Sequence, residues 1–346
     1  MNVNFKFSSI GLAGIFFALS GFLSTHSSMV LAAEVNVYSS RQPFLIKPMF
    51  DAFTRETGIK VNSVFAKKGL VERLEKEGRN SPADMIFTVD IGRLDSALQA
   101  GVTQAVTNDV LEQSIPDEFR DPAGHWFGLT NRARIIVTSK ERMQPGDIAS
   151  YEDLADPKFA GRVCSRSGKH PYMVALIASV IAHTDRDTAK SWLQGVKENL
   201  ARKPQGNDRA QVKAIAAGEC DIAIINSYYM GQMASDAEQA EWAGSVDIVF
   251  PNQENRGTHM NISGMALTRH APNKDSAIKL MEFLSAELAQ SMYAEQNYEY
   301  PVNPEVSPSG LLRSWGEFKY DTLPLADIAK QRSTAIKLAD EVNYDG

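Results

Sequence analysis

Two cysteines and six histidines in 346 residues leave little room for soft-ligand chemistry. No Cys-x-x-Cys and no His-x-x-x-His pair occurs, so the common zinc frameworks are excluded. Neither a glycine-rich phosphate loop nor a Gly-x-Ser-x-Gly turn is present, which removes the signatures of a nucleotide hydrolase and of a serine hydrolase. Basic charge is in deficit: 36 Lys and Arg face 42 Asp and Glu, a net charge of −6. An acidic surface argues against nucleic acid or anionic lipid as a partner. Internal repeats and low-complexity segments are missing too, and beyond the N-terminus no run is apolar enough to span a membrane.

What the N-terminus does carry is Lys6, then the uncharged stretch Ile10–Leu23, then Val30-Leu31-Ala32-Ala33. A basic start, a short apolar run and small residues form a secretory signal peptide over residues 1–32, with cleavage after Ala32 or Ala33. The exported chain is 346 residues less 32, and losing Lys6 without any acid moves its net charge to −7. That length exceeds what one core usually serves and predicts two lobes. In an oxidising compartment Cys164 and Cys220 can pair, which would tie together the segments they precede.

Short β-like runs alternate with helical ones, the pattern of α/β architecture. Val35 and Val37 alternate in a first strand, and a turn through Pro43 leads to a helix carrying Met49, Phe50 and Phe53 that Gly58 stops. Lys60–Phe65 and Met85–Val89 read as strands, Val71–Lys76 as a short helix, and Asp90 as the cap of a helix ending near Gly101. The run Ile135–Thr138 is expected to carry the chain between lobes and Gly257–Leu267 to bring it back. A single amphipathic helix is predicted over Ile278–Met292, with Met281, Leu284 and Leu288 on one face, and a last helix over about Leu325–Val342, expected to pack across the second lobe.

The residues most in need of an explanation are Tyr228 and Tyr229. They follow the buried strand Ile222–Ile225 and the cap-type residues Asn226 and Ser227, so they should open a helix. At such a junction two consecutive rings can face one cleft, and junctions of this kind line ligand sites in open α/β sheets. Tyr172 also stands at a helix start, after Pro171 and before the apolar Met173–Ile181. Phenolate is a hard anionic donor suited to a hard cation, and a bound cation can strip a phenol of its proton. Ordinary packing of aromatics is the competing account of each ring. Cys164 with His170 could form a catalytic pair, although the second cysteine offers a disulfide instead. His259 reads as a hydrogen-bonded structural histidine, and Asp84 and Asp90 as turn and cap residues.

The runs Val-Tyr-Ser-Ser-Arg-Gln (37–42), Ala-Asp-Met-Ile-Phe-Thr-Val-Asp (83–90), Trp-Phe-Gly-Leu-Thr-Asn-Arg-Ala-Arg (126–134), Gly-Glu-Cys-Asp-Ile-Ala-Ile-Ile-Asn-Ser-Tyr-Tyr (218–229) and Gly-Thr-His-Met-Asn-Ile-Ser-Gly (257–264) carry a resemblance. Over nearly the whole exported length the chain resembles the periplasmic ferric-ion-binding proteins of ABC importers. The resemblance implies an α/β, two-lobed periplasmic binding protein fold of type II with a hinge between lobes. It implies a first lobe of residues 33–132 plus 258–310 and a second of 133–257 plus 311–346. Tyr172, Tyr228 and Tyr229 would be the ligands of transported Fe(3+). Many members add a His-Tyr pair after the first-strand arginine, where this chain has Gln42-Pro43. That departure resembles the branch in which three tyrosines of one lobe hold iron and a carbonate-like synergistic anion completes the shell. There Arg132 would hold the anion, with Arg134 second and Gln42 a further donor. The implied protein is a periplasmic monomer that delivers to an inner-membrane permease and its ATPase, and it is not an enzyme. Two other classes stay open on the residues alone: a binder of an organic cation or oxyanion with stacking tyrosines, and an exported two-lobed enzyme with Cys164 as nucleophile.

Overall fold

A computed structural model describes residues 1–6 and 33–346. From residue 7 to residue 32 the signal-peptide reading lies outside the described residues. Among the described residues no helix is long and apolar enough to cross a membrane.

Nine strands order the described residues: β1 (Glu34–Ser39), β2 (Lys60–Phe65), β3 (Met85–Thr88), β4 (Phe127–Ser139), β5 (Val163–Cys164), β6 (Ile222–Asn226), β7 (Val246–Val249), β8 (Met260–Leu267) and β9 (Tyr300–Pro301). Strand β1 pairs in parallel with β2 and β3, and β3 continues antiparallel to β8. Every residue of β4 is buried, and this long strand belongs to two sheets in turn. From Phe127 to Ala133 it runs antiparallel to β8, and from Arg134 to Thr138 antiparallel to β6, which pairs with β5. The short β9 adds to the first part, while β7 adds to the second. The molecule has the two-lobed type II architecture, with β4 running through both parts of the sheet. The pairing of β4 changes from β8 to β6 between Ala133 and Arg134.

Local chemistry explains most of the helices that flank these sheets. Pro43 opens the helix Pro43–Thr57, where a missing N–H costs nothing, and Gly58 ends it at φ 72°, a conformation glycine adopts without strain. Asp90 accepts a bond from the Gly92 N–H and caps the helix Ile91–Gln99.

Two expected helices are each two. The predicted Ile278–Met292 helix is Lys274–Ser285 followed by Glu287–Asn297, because Ala286 takes an extended conformation. The Gln290 side chain supplies the bond that the break removes, donating from Nε2 to the Leu284 carbonyl at 2.8 Å. The break re-phases the second piece, so Met281 and Leu284 are buried while Leu288 is 51% exposed. Leu325–Val342 likewise divides at Gln331 into Leu325–Lys330 and Arg332–Glu341. Both pieces pack on the helix Pro171–His183, and the first also touches Ile91–Gln99.

Candidate functional site

Strand β6 ends at Asn226, and Tyr228 and Tyr229 are the first two residues of the helix Tyr228–Ala234. Ser227 stands at the cap position, yet its side chain does not cap. Its Oγ accepts the Ala133 N–H at 3.2 Å, a bond that fixes the tyrosine turn to the point where β4 changes sheets. Asn226 is similarly diverted, its Oδ1 accepting from Arg134.

Tyr172 comes from a second helix start. In Pro171–His183 the cap is His170, whose Nδ1 accepts the Tyr172 N–H at 3.2 Å and whose ring meets the Tyr172 ring edge-on at 4.6 Å. Burial, reinforced by Arg166, lowers the His170 pKa to about 3, so this capping nitrogen stays an acceptor at neutral pH.

The two helix starts deliver their tyrosines to one place. The Tyr172 and Tyr228 hydroxyls lie 3.3 Å apart, and the Tyr228 and Tyr229 rings are 4.2 Å apart between centroids. All three line a cleft of about 390 Å³, together with Arg132 and Gln42. Burial raises the Tyr228 pKa well above its ordinary value, with the neighbouring Tyr172 and Tyr229 adding to it, and burial with Tyr172 and Asp208 pushes Tyr229 up to about 12. Alone, these two phenols are therefore neutral near pH 7, and only a cation in the cleft would favour their ionised form.

Arginine surrounds the third ring. The guanidinium carbons of Arg132, Arg134 and Arg166 lie 5.4, 6.0 and 5.0 Å from the Tyr172 ring centroid. Asp208, fully buried, accepts from Arg134 at 2.8 Å and from Arg166 at 2.7 Å. Burial opposes its ionisation, but the two guanidiniums and the Asn226 N–H outweigh that and hold its carboxyl below the usual range. Arg134 bonds Asp208 and Asn226 through a single Nη, and its Nε and other Nη are buried without a protein partner. Arg132 leaves the same two kinds of nitrogen unpartnered, but its one protein bond runs to the neutral Val89 carbonyl, and it lines the cleft. Gln42 is exposed at the rim.

Several residues of this site gave no signal in the sequence. Arg166 and Asp208 look like surface charges next to turns, and only the tertiary fold brings them under Tyr172. On the opposite wall Arg41 and Glu299 form a buried ion pair, with Arg41 also donating to Ser263 at 2.7 Å. Arg209 extends over the Tyr229 ring, 5.3 Å from its centroid. Among the described residues no three His, Cys, Asp or Glu side chains cluster as a metal site. A metal here would depend on phenol oxygens.

Cys164 and Cys220 are joined in a disulfide, so neither is a free thiol and the Cys164 nucleophile has no basis here. His259 departs from expectation: it is buried, but neither ring nitrogen has a hydrogen-bond partner in the protein.

The profile of the bacterial extracellular solute-binding proteins matches residues 80–314. "Iron uptake protein A1" of Synechocystis is 43% identical over 90% of this chain and 87% of its own length. A solved apo ferric ion-binding protein A of Pasteurella haemolytica is 52% identical, with a TM-score of 0.86 over 91% of this chain and 99% of its own. A Trichodesmium protein solved in complex with iron and citrate ligands is 42% identical, with a TM-score of 0.87 over 90% of this chain and 100% of its own.

Proposed function

The chain belongs to the family of bacterial extracellular solute-binding proteins, and from that premise we propose that it captures ferric iron in the periplasm through Tyr172, Tyr228 and Tyr229 and delivers it to an inner-membrane ABC importer. One observation carries the reading: three phenols share a cleft that has no other ligand set and is bordered by a guanidinium with two unpartnered nitrogens. A trivalent ion reverses the effect of burial on these phenols, since each phenolate that forms cancels one unit of its charge. Three oxygens leave coordination positions open. A planar bidentate anion such as carbonate fills them, and the free edge of Arg132 matches it in geometry and charge. Arg134 serves this anion only indirectly, through Asp208 and the packing of Tyr172, and Gln42 approaches as the cleft narrows. The lobes, residues 33–132 with 258–310 and residues 133–257 with 311–346, close about β4 and β8. The iron-binding names of the relatives support the cargo, and the permease and its ATPase follow from the family's role.

Ferric titration of the purified protein with added bicarbonate tests this. Iron–phenolate coordination gives a visible absorption band that should saturate at one ion per chain. Tyr228→Phe and Tyr229→Phe keep the ring and remove the donor oxygen, so each should weaken ferric binding at least a hundredfold, about 3 kcal/mol or more. Absence of the band in the wild type, or unchanged affinity in both variants, would remove the tyrosines from the ligand set.

A further inference from the structure

Three non-glycine residues among those described have a positive φ: Asn252, Asn343 and Tyr298. Asparagine tolerates the left-handed region, whereas a bulky tyrosine there is an outlier that its surroundings must impose. Those surroundings are visible. Asn297, just before it, donates from Nδ2 to the Leu45 carbonyl at 3.0 Å, and Glu299, just after it, is held in the buried pair with Arg41. With both flanking side chains anchored in the first lobe, Tyr298 is turned out at φ 56° and ψ 36° toward the second.

It lands on the helix that bears Tyr228 and Tyr229. The Tyr298 and Ser235 hydroxyls share a hydrogen bond of 2.5 Å. Its ring covers Gly231 so closely that a methyl carbon added there would sit 2.6 Å from the Tyr298 Cβ and 2.9 Å from its Cδ1. Gly231 lies inside a helix, where glycine is a poor helix former, so its presence needs another cause and the ring supplies one. We infer that Tyr298 and Gly231 form a latch between the lobes, in which Tyr298 acts as a positioning residue: it holds the tyrosine-bearing helix against the first lobe and so governs how long the cargo is kept. The strain at Tyr298 suits such a role, because the contact that the strained backbone makes possible is lost when the lobes part.

For its cargo this inference rests on the iron-capture reading, but the latch itself can be tested without iron. Gly231→Ala adds one methyl group in the path of the ring while improving the helix intrinsically, so its effect on closure is separable from any effect on folding. Tyr298→Asn removes the ring and keeps a residue that accepts the left-handed backbone. Small-angle scattering of the iron-free proteins reads lobe opening, and thermal unfolding verifies the fold. For ferric-loaded protein, decay of the visible band after EDTA is added reads release. Gly231→Ala should be more open than wild type, keep the band on loading, and release iron roughly tenfold faster. Tyr298→Asn should behave likewise, and Gly231→Ala should add nothing in the Tyr298→Asn background, since the ring it collides with is gone. Wild-type scattering and release in Gly231→Ala, or an undiminished effect of that change when Tyr298 is already Asn, overturns the latch. Absence of the band in the wild type would overturn the iron reading alone and leave the scattering comparison to decide the latch.

Discussion

Arg132 and Arg134 stand two residues apart on one strand, yet the fold gives them different surroundings. Each keeps two buried nitrogens without a protein partner, but Arg134 is neutralised by Asp208, whereas Arg132 bonds only the Val89 carbonyl and lines the cleft beside the tyrosines. An arginine can present two parallel N–H donors to a carbonate, which a lysine point charge cannot reproduce. Arg132→Lys should therefore lower ferric affinity by about 1.5–3 kcal/mol, the range for hydrogen bonds to charged groups, despite conserving charge. It should also abolish the response to bicarbonate. Ferric titrations of wild type and variant with and without bicarbonate check this, and an equal response in both proteins would move the anion elsewhere. The sequence made the arginine pair legible but not the different partners of its two members. That difference depends on Asp208, which arrives from 74 residues away.

At the scale of elements, strands and helix starts were the legible part because each has a local cause. Proline at a first turn, glycine at an end and a run of apolar residues act within a few positions, and they located Tyr172, Tyr228 and Tyr229 correctly at helix starts. What was not legible was long-range. The break at Ala286 is stabilised by a side chain four residues on, and Leu288 kept its apolar identity although the break turned it outward. Ser227 looked like a cap, but the Ala133 N–H from another strand claimed its hydroxyl. The disulfide ties two such elements: β5 has only two residues, and Cys164 within it is linked to Cys220 just before β6. It closes a loop with a sequence separation of 56, for which the chain-entropy account gives a contribution on the order of 4 kcal/mol. Replacing both cysteines by serine should cost about that much in denaturant unfolding while leaving the ferric band intact. Loss of the band in a variant that remains folded would instead give the bridge a direct part in the site.

For the whole molecule, the connection between lobes runs through β4 and β8, and His259 sits at the start of the return. Its carbonyl accepts the Arg134 N–H at 2.9 Å, and its own N–H donates to the Tyr151 hydroxyl at 3.2 Å. The ring is buried, and burial together with Arg134, Arg132 and Arg256 lowers its pKa from 6.5 to about 3. In the folded protein His259 is therefore neutral at any pH above about 3, whereas in the unfolded chain it takes up a proton below about 6.5. Above that value neither state is charged and folding is unaffected. As the pH falls through this window the unfolded state binds the extra proton and the fold loses stability, at up to about 1.4 kcal/mol per pH unit. Chemical unfolding of the iron-free protein at about pH 7.5 and about pH 5 should reveal a loss of about 2 kcal/mol from this residue. His259→Gln keeps a polar side chain but cannot titrate, so the difference between the two pH values should shrink by that amount, leaving any share from His170. A variant that retained the full difference would show that the acid sensitivity arises elsewhere. An unstable fold at both values would mean that the shape of the ring, rather than its proton, matters at the hinge.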